Sequence, residues 1–208
     1  NDNLAGGVGN DAMNGGAGND VIDGGLDNDH LGGGAGNDVL VGGKGNDTMM
    51  GEAGVDTVSY ATSTGGVTVD LRGLYGWDGM GTQDFFLYNL VNGAAVADVE
   101  NIIGSNYNDH MVGSILTNDI QGGNGDDGIW GFKGNDVLTG GAGNDVMYGN
   151  EDNDALFGGA GDDVMYGGLD NDNLNGGLGV DALIGGTGND SLYGNEGSDV
   201  LLGSDGND

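Results

Sequence analysis

The chain has 208 residues, among them 51 Gly, no Pro and no Cys, and a net charge of −31 from 34 acidic and only three basic residues. Such an acidic surface excludes nucleic acid and anionic membranes as partners, because both repel it. No apolar run approaches the roughly 20 residues of a membrane-spanning helix, and without Cys nothing marks the redox compartment.

From its first residues the chain follows a nine-residue unit, Gly-Gly-x-Gly-Asn-Asp-x-Leu-x. Clean copies stand at 33–41 (GGAGNDVLV), 140–148 (GGAGNDVMY) and 185–193 (GGTGNDSLY). Position 6 of the unit is Asp2, Asp11, Asp20, Asp29, Asp38, Asp47 and Asp56 in a first block, residues 1–59. In that block position 8 is Leu4, Met13, Ile22, Leu31, Leu40, Met49 and Val58, apolar throughout. One inward residue between two outward ones predicts a three-residue strand, and the other six residues a turn. Glycines at positions 1, 2 and 4 supply positive φ and close backbone approach. So short a strand cannot fold alone. Successive units must therefore stack, with the position-8 side chains as a continuous interior.

The period fails after Ser59, and residues 60–103 form an irregular, aromatic-rich interruption. Residues 67–71 (VTVDL) alternate and read as a strand, residues 73–81 (GLYGWDGMG) as a loop, and residues 84–91 as strand or helix. Arg72, Trp77, Asp78 and Asp84 are a conceivable binding group, but a plug of buried aromatics is the commoner role for such a stretch. Glu100 lies nine residues before Asp109 and stands where a position-6 Asp is due.

The period resumes in a second block, residues 104–208. Position 6 is now Asp109, Asn118, Asp127, Asp136, Asp145, Asp154, Asp163, Asp172, Asp181, Asp190, Asp199 and Asp208. Of 19 phased positions, 18 are Asp. Turn preference alone would let the position drift among Asp, Asn, Ser and Gly, so each unit needs its carboxylate. Carboxylates and turn carbonyls on one edge suit a hard cation, and Ca²⁺ takes about 6–8 oxygens. The absence of Cys and the separation of His30 from His110 leave nothing for a softer metal. With roughly ten ions, about 20 charges would be cancelled, which makes metal binding and folding one event. Asn118 offers one oxygen and no charge, so calcium is expected to be weak or absent at its turn, beside Glu100 and at both ends of the chain.

The unit resembles the nonapeptide of the RTX (repeats-in-toxin) family of secreted bacterial proteins, an established signature of calcium-binding parallel β structure. The resemblance covers residues 1–59 and 104–208. It implies an all-β fold, a right-handed parallel β-roll with two units per 18-residue turn. It also implies that position-6 carboxylates one full turn apart share calcium, Asp20 with Asp38, Asp145 with Asp163, Asp11 with Asp29 and Asp154 with Asp172. Other RTX proteins contain stretches similar to the interruption, which implies a widened turn of the roll. Export by a one-step, type I route is implied as well. Because the chain begins and ends mid-unit, it is expected to be part of a larger protein.

No HExxH, GxSxG or P-loop occurs, and His30 and His110 both follow the Asp on the outward side. No nucleophile–base pair is evident, and no enzymatic activity is expected. Alternate units of the second block place Trp130, Tyr148, Tyr166, Ile184 and Leu202 on one outward face, while the other face is mixed. An exposed apolar stripe of that kind marks an interface for self-assembly or a protein partner. Three functions compete: a secreted calcium-binding structural module, a calcium-dependent assembly or adhesion protein, and an accessory module of an enzyme.

Overall fold

The computed structural model describes residues 1–72 and 99–208 in full and, between them, the backbone of four strands. In the first block the strands are β1 (Asn3–Val8), β2 (Ala12–Ala17), β3 (Val21–Leu26), β4 (His30–Ala35), β5 (Val39–Lys44), β6 (Thr48–Ala53) and β7 (Thr57–Ser59). The interruption and its exit contribute β8 (Thr68–Asp70), β9 (Tyr75–Trp77), β10 (Gln83–Phe86), β11 (Tyr88–Val91), β12 (Ala94–Ala97), β13 (Asn101–Ile103) and β14 (His110–Val112). The second block adds β15 (Asp119–Asn124), β16 (Gly128–Lys133), β17 (Val137–Ala142), β18 (Val146–Glu151) and β19 (Ala155–Ala160). It closes with β20 (Val164–Leu169), β21 (Asn173–Leu178), β22 (Ala182–Thr187), β23 (Ser191–Glu196) and β24 (Val200–Asp205). The described residues contain no helix, and hence none long and apolar enough to cross a membrane.

Consecutive units alternate between two sheets. One is ten-stranded, in the order β1-β3-β5-β7-β13-β15-β17-β19-β21-β23. The other is twelve-stranded, β2-β4-β6-β10-β9-β8-β14-β16-β18-β20-β22-β24. Each repeat strand pairs in parallel with the strand 18 residues on, as Val21 does with Val39 and Ile22 with Leu40. This is a parallel β-solenoid of about 10 turns, as expected for a β-roll. Position 8 fills its interior: Ile22, Leu31, Leu40, Ile120, Ile129, Leu138, Met147, Leu156, Met165, Leu174 and Leu183 are fully buried. Each such side chain contributes about 1.5–3 kcal/mol on burial.

The strands are longer than the sequence reading expects. In regular units they run six residues, through positions 1 to 3 of the next unit, and the turn shrinks to three residues such as Gly45, Asn46 and Asp47. Pairing skips position 1, passing from Asp23↔Val41 to Gly25↔Gly43. A methyl group at Gly33 would meet Asp38 Oδ2 and, at 2.8 Å, the Gly51 carbonyl oxygen. Position 1 therefore needs glycine for close approach. Positive φ falls instead at positions 2 and 4, as at Gly34 (109°) and Gly36 (137°).

The interruption enters the roll's own hydrogen-bonding ladder. β13 stacks on β7, with Ile102 opposite Val58, so the ten-stranded sheet passes it without a gap. In the other sheet β10 pairs in parallel with β6, β9 runs antiparallel to both β10 and β8, and β8 pairs in parallel with β14. Val67, Val69 and Leu71 are buried while Thr68 is exposed, matching the alternation in the sequence. The stretch expected to be a loop contains β9, and residues 84–91 contain strand on both sides of residue 87. The side chains of Trp77, Asp78 and Asp84, and with them the aromatic-plug reading, lie outside the described residues.

Candidate calcium sites

Stacking at a period of 18 residues brings each position-6 carboxylate against the backbone of the turn before it. The Asp20 N–H donates to Asp38 Oδ1 at 2.8 Å, Asp11 N–H to Asp29 Oδ1 at 2.8 Å, Asp145 N–H to Asp163 Oδ1 at 2.9 Å and Asp154 N–H to Asp172 Oδ1 at 2.8 Å. All four pairs expected to share an ion are thus brought together. The Asp carbonyl is also engaged, since Val39 N–H donates to Asp20 O at 2.8 Å. Position 5 forms a parallel outer ladder, in which Asn37 N–H donates to Asn19 Oδ1 at 3.0 Å.

The second carboxylate oxygen has no such donor. Oδ2 of Asp11, Asp20, Asp29 and Asp38, and of Asp127, Asp136, Asp145, Asp154, Asp163, Asp172, Asp181 and Asp190, is buried without a hydrogen bond. Apart from Asp11 these residues are no more than 4% exposed. A buried ionised oxygen left unmatched costs several kcal/mol, so a proton or a cation must meet it. Burial pushes Asp127, Asp136, Asp154, Asp163 and Asp172 up to about 7, against the hydrogen bond from the preceding turn, which lowers each. Burial raises Asp29, Asp145 and Asp181 as well.

These oxygens fit calcium. The donors are all oxygen, and the Gly51 carbonyl faces the same glycine-lined space as Asp38 Oδ2. Among the described residues no three Asp, Glu, His or Cys side chains converge as a metal cluster. An ion here would draw its remaining ligands from backbone carbonyls or water, which calcium's flexible coordination accepts.

A scan against protein-family models matches the RTX calcium-binding nonapeptide repeat at residues 1–31, 32–59, 112–147, 148–183 and 175–208, about three quarters of the chain. The chain belongs to that family. RTX repeats bind calcium, and the family and its solenoid fold are typically structural rather than catalytic. No curated protein matches the chain.

Within this RTX roll the phased positions are not equivalent. Asp2 and Asp208 are exposed, and Asp11 and Asp199 half-buried, because no further turn covers them. Glu100 takes a position-6 role, its Oε2 accepting Asp56 N–H at 2.8 Å. Asp47 and Asp56 are fully buried like their neighbours, and Asp47 Oδ1 accepts Asp29 N–H at 2.8 Å. Asp109 and Asn118 differ. Ser105 N–H donates to Asp109 Oδ2 at 2.6 Å, and Ser114 N–H to Asn118 Oδ1 at 2.7 Å. Sequence reasoning missed both serines. The signal was Gly-Ser in place of Gly-Gly at positions 1 and 2, with Tyr107 and Leu116 where position 4 is otherwise Gly or Asp.

His30 and His110 are exposed, as expected for position 7. His110 lies 4.6 Å from the Trp130 ring, Trp130 stacks on Tyr148 at 5.6 Å and Tyr148 on Tyr166 at 4.7 Å. Arg72, the one described member of the group suggested in the interruption, pairs with Asp70 at 3.0 Å and lies 5.1 Å over the Phe132 ring.

Proposed function

We propose that the chain is a structural module of a secreted bacterial protein, one that folds when it meets calcium outside the cell, with the buried position-6 carboxylates as its ligands. The row of buried Oδ2 atoms without donors carries this reading. Ionised, these oxygens oppose the compact state at a net charge of −31. Calcium satisfies them and links successive turns, so that the ion supplies folding free energy. Inside a cell poor in calcium the chain stays open and fit for export, and outside it closes. Circular dichroism during calcium titration tests this. The β signal should be largely lost in excess chelator and grow with calcium, and Mg²⁺ should substitute poorly because it demands stricter geometry. A full β signal in chelator at neutral pH would refute it.

Assembly of two copies through the face of Trp130, Tyr148, Tyr166, Ile184 and Leu202 is a second reading. The exposure of Tyr166 (36%) and Leu202 (54%) favours it. Against it, Phe157 (38%) and Tyr193 (55%) are as exposed on the other face. Molecular mass in calcium separates a monomer from an assembly.

A further inference from the structure

The two turns beside the interruption are closed differently from the rest. Elsewhere position 2 has positive φ, even where it is not glycine, as at Phe132 (85°) and Asn150 (84°). Ser105 and Ser114 do not share it. Their N–H groups donate to the position-6 side chain of their own turn, whereas in the regular units the corresponding Oδ2 has no donor.

At Asp109 the result is a carboxylate with both oxygens matched. Oδ1 accepts Val67 N–H at 2.8 Å and Ser105 Oγ–H at 2.8 Å, and Oδ2 accepts Ser105 N–H at 2.6 Å. At Asn118 Oδ1 takes the place that Oδ2 holds in the regular units, against Gly113 as Asp20 Oδ2 lies against Gly15, and the side-chain nitrogen takes the place of Oδ1, facing the preceding turn. It donates to the Glu100 carbonyl at 2.6 Å and to Ser114 Oγ at 3.3 Å. A carboxylate at 118 would set an oxygen against that carbonyl and require a cation between them. The apolar interior is also thicker here. Tyr60, Val67, Leu71, Val99 and Val112 are buried in addition to the position-8 series.

We propose that Ser105 and Ser114 close the Asp109 and Asn118 turns in place of calcium, and that these turns with β7, β8, β13 and β14 form a joint that stays folded when calcium is removed. The proposal rests on the reading that calcium meets the unmatched carboxylates elsewhere. It sets Asp109 apart from the other phased Asp residues as a carboxylate that takes no ion. Removing calcium from the whole chain then melts the roll on either side of a persistent core, and returning it lets the turns add outward from β7 and β14.

Hydrogen exchange read by mass spectrometry, on the chain in calcium and in excess EGTA, tests this. In calcium, amides throughout the roll should be protected. In EGTA, amides of residues 20–50 and 130–199 should exchange freely, while those of 57–71 and 101–112 should remain at least about tenfold slower than free exchange, the mark of a surviving local unit. Loss of protection everywhere in EGTA overturns the joint and leaves the calcium reading standing. Protection everywhere in EGTA overturns both. Asn118→Asp provides a second test: joint protection in EGTA should fall about tenfold and return with calcium. Unchanged protection in that variant also overturns the proposal.

Discussion

Asp163 accepts the Asp145 N–H at Oδ1, 2.9 Å away, and holds Oδ2 buried with no donor. One oxygen thus fixes the carboxylate against the previous turn while the other is left unmatched, which is the place the proposed function gives to a cation. The arrangement recurs every 18 residues along both edges of the roll, so a change at one position has a defined local effect.

Asp163→Asn keeps an acceptor for Asp145 N–H and removes the charge at Oδ2. The calcium midpoint should rise about tenfold, about 1.4 kcal/mol, with fewer ions bound per chain by equilibrium dialysis. Asp109→Asn, in the turn closed by Ser105, should leave the ion count unchanged. Equal loss from both variants would show that the hydrogen-bond pattern does not select the ion sites.

Acid should partly replace calcium. Asp127, Asp136, Asp154, Asp163 and Asp172 are raised to about 7 in the fold, against about 3.9 in an unfolded chain. The folded form therefore holds protons more tightly, and this stabilisation is complete below about 3.9 and lost as pH rises through about 7. In EGTA the β signal should be larger at about pH 5.5 than at about pH 8, with protons released on calcium binding near neutrality. An ellipticity in EGTA that does not vary over that range would contradict the assignment of burial as the cause.

Gly33→Ala should weaken the calcium-loaded roll by about 1–3 kcal/mol, the usual cost of forcing a methyl into a filled site. The methyl would meet both Asp38 Oδ2 and the Gly51 carbonyl. Urea unfolding in saturating calcium measures it. An unshifted midpoint would mean that position 1 tolerates a side chain.

Tyr148→Thr retains strand preference and removes two stacked pairs, with Trp130 and Tyr166. At about 0.5–1.5 kcal/mol per pair, loaded-state stability should fall by about 1–3 kcal/mol. The number of bound ions should not change, because position 6 is untouched. If stability is unaltered, the ring stack is only surface.

Positions 6 and 8 were legible because each answers to a single constraint with a fixed period. Ile22 and Leu40 must face inward, and Asp20 and Asp38 must meet, whatever the surrounding residues are. Strand length was not legible in the same way. Gly42 and Gly43 argue against strand by propensity, yet the strand runs through both, and at position 1 the following Asp lies so close that only glycine fits. The Asp109 turn was hidden for a different reason. A period records which residue type recurs, and Asp109 keeps the phase. What changes is the backbone at Ser105, and a count of phased carboxylates does not contain that angle. Ser204, which holds φ at 84° in an otherwise regular unit, shows that serine at position 2 does not decide the matter alone. The loss of Gly or Asp at position 4 goes with it.

The alternation of units between two sheets fixes how such a chain can change length. Eighteen residues added or deleted insert or remove one whole turn, and every downstream strand keeps its sheet. Nine residues would keep Asp at position 6 and Leu at position 8 in phase but send every later strand to the opposite sheet. The ladder of His110, Trp130, Tyr148 and Tyr166 would survive if the lesion fell before it, carried to the other side of the molecule, and would be split in two if the lesion fell within it. The reading frame of the surface is thus twice that of the metal sites, and lineages that preserve this face should gain or lose repeats in pairs.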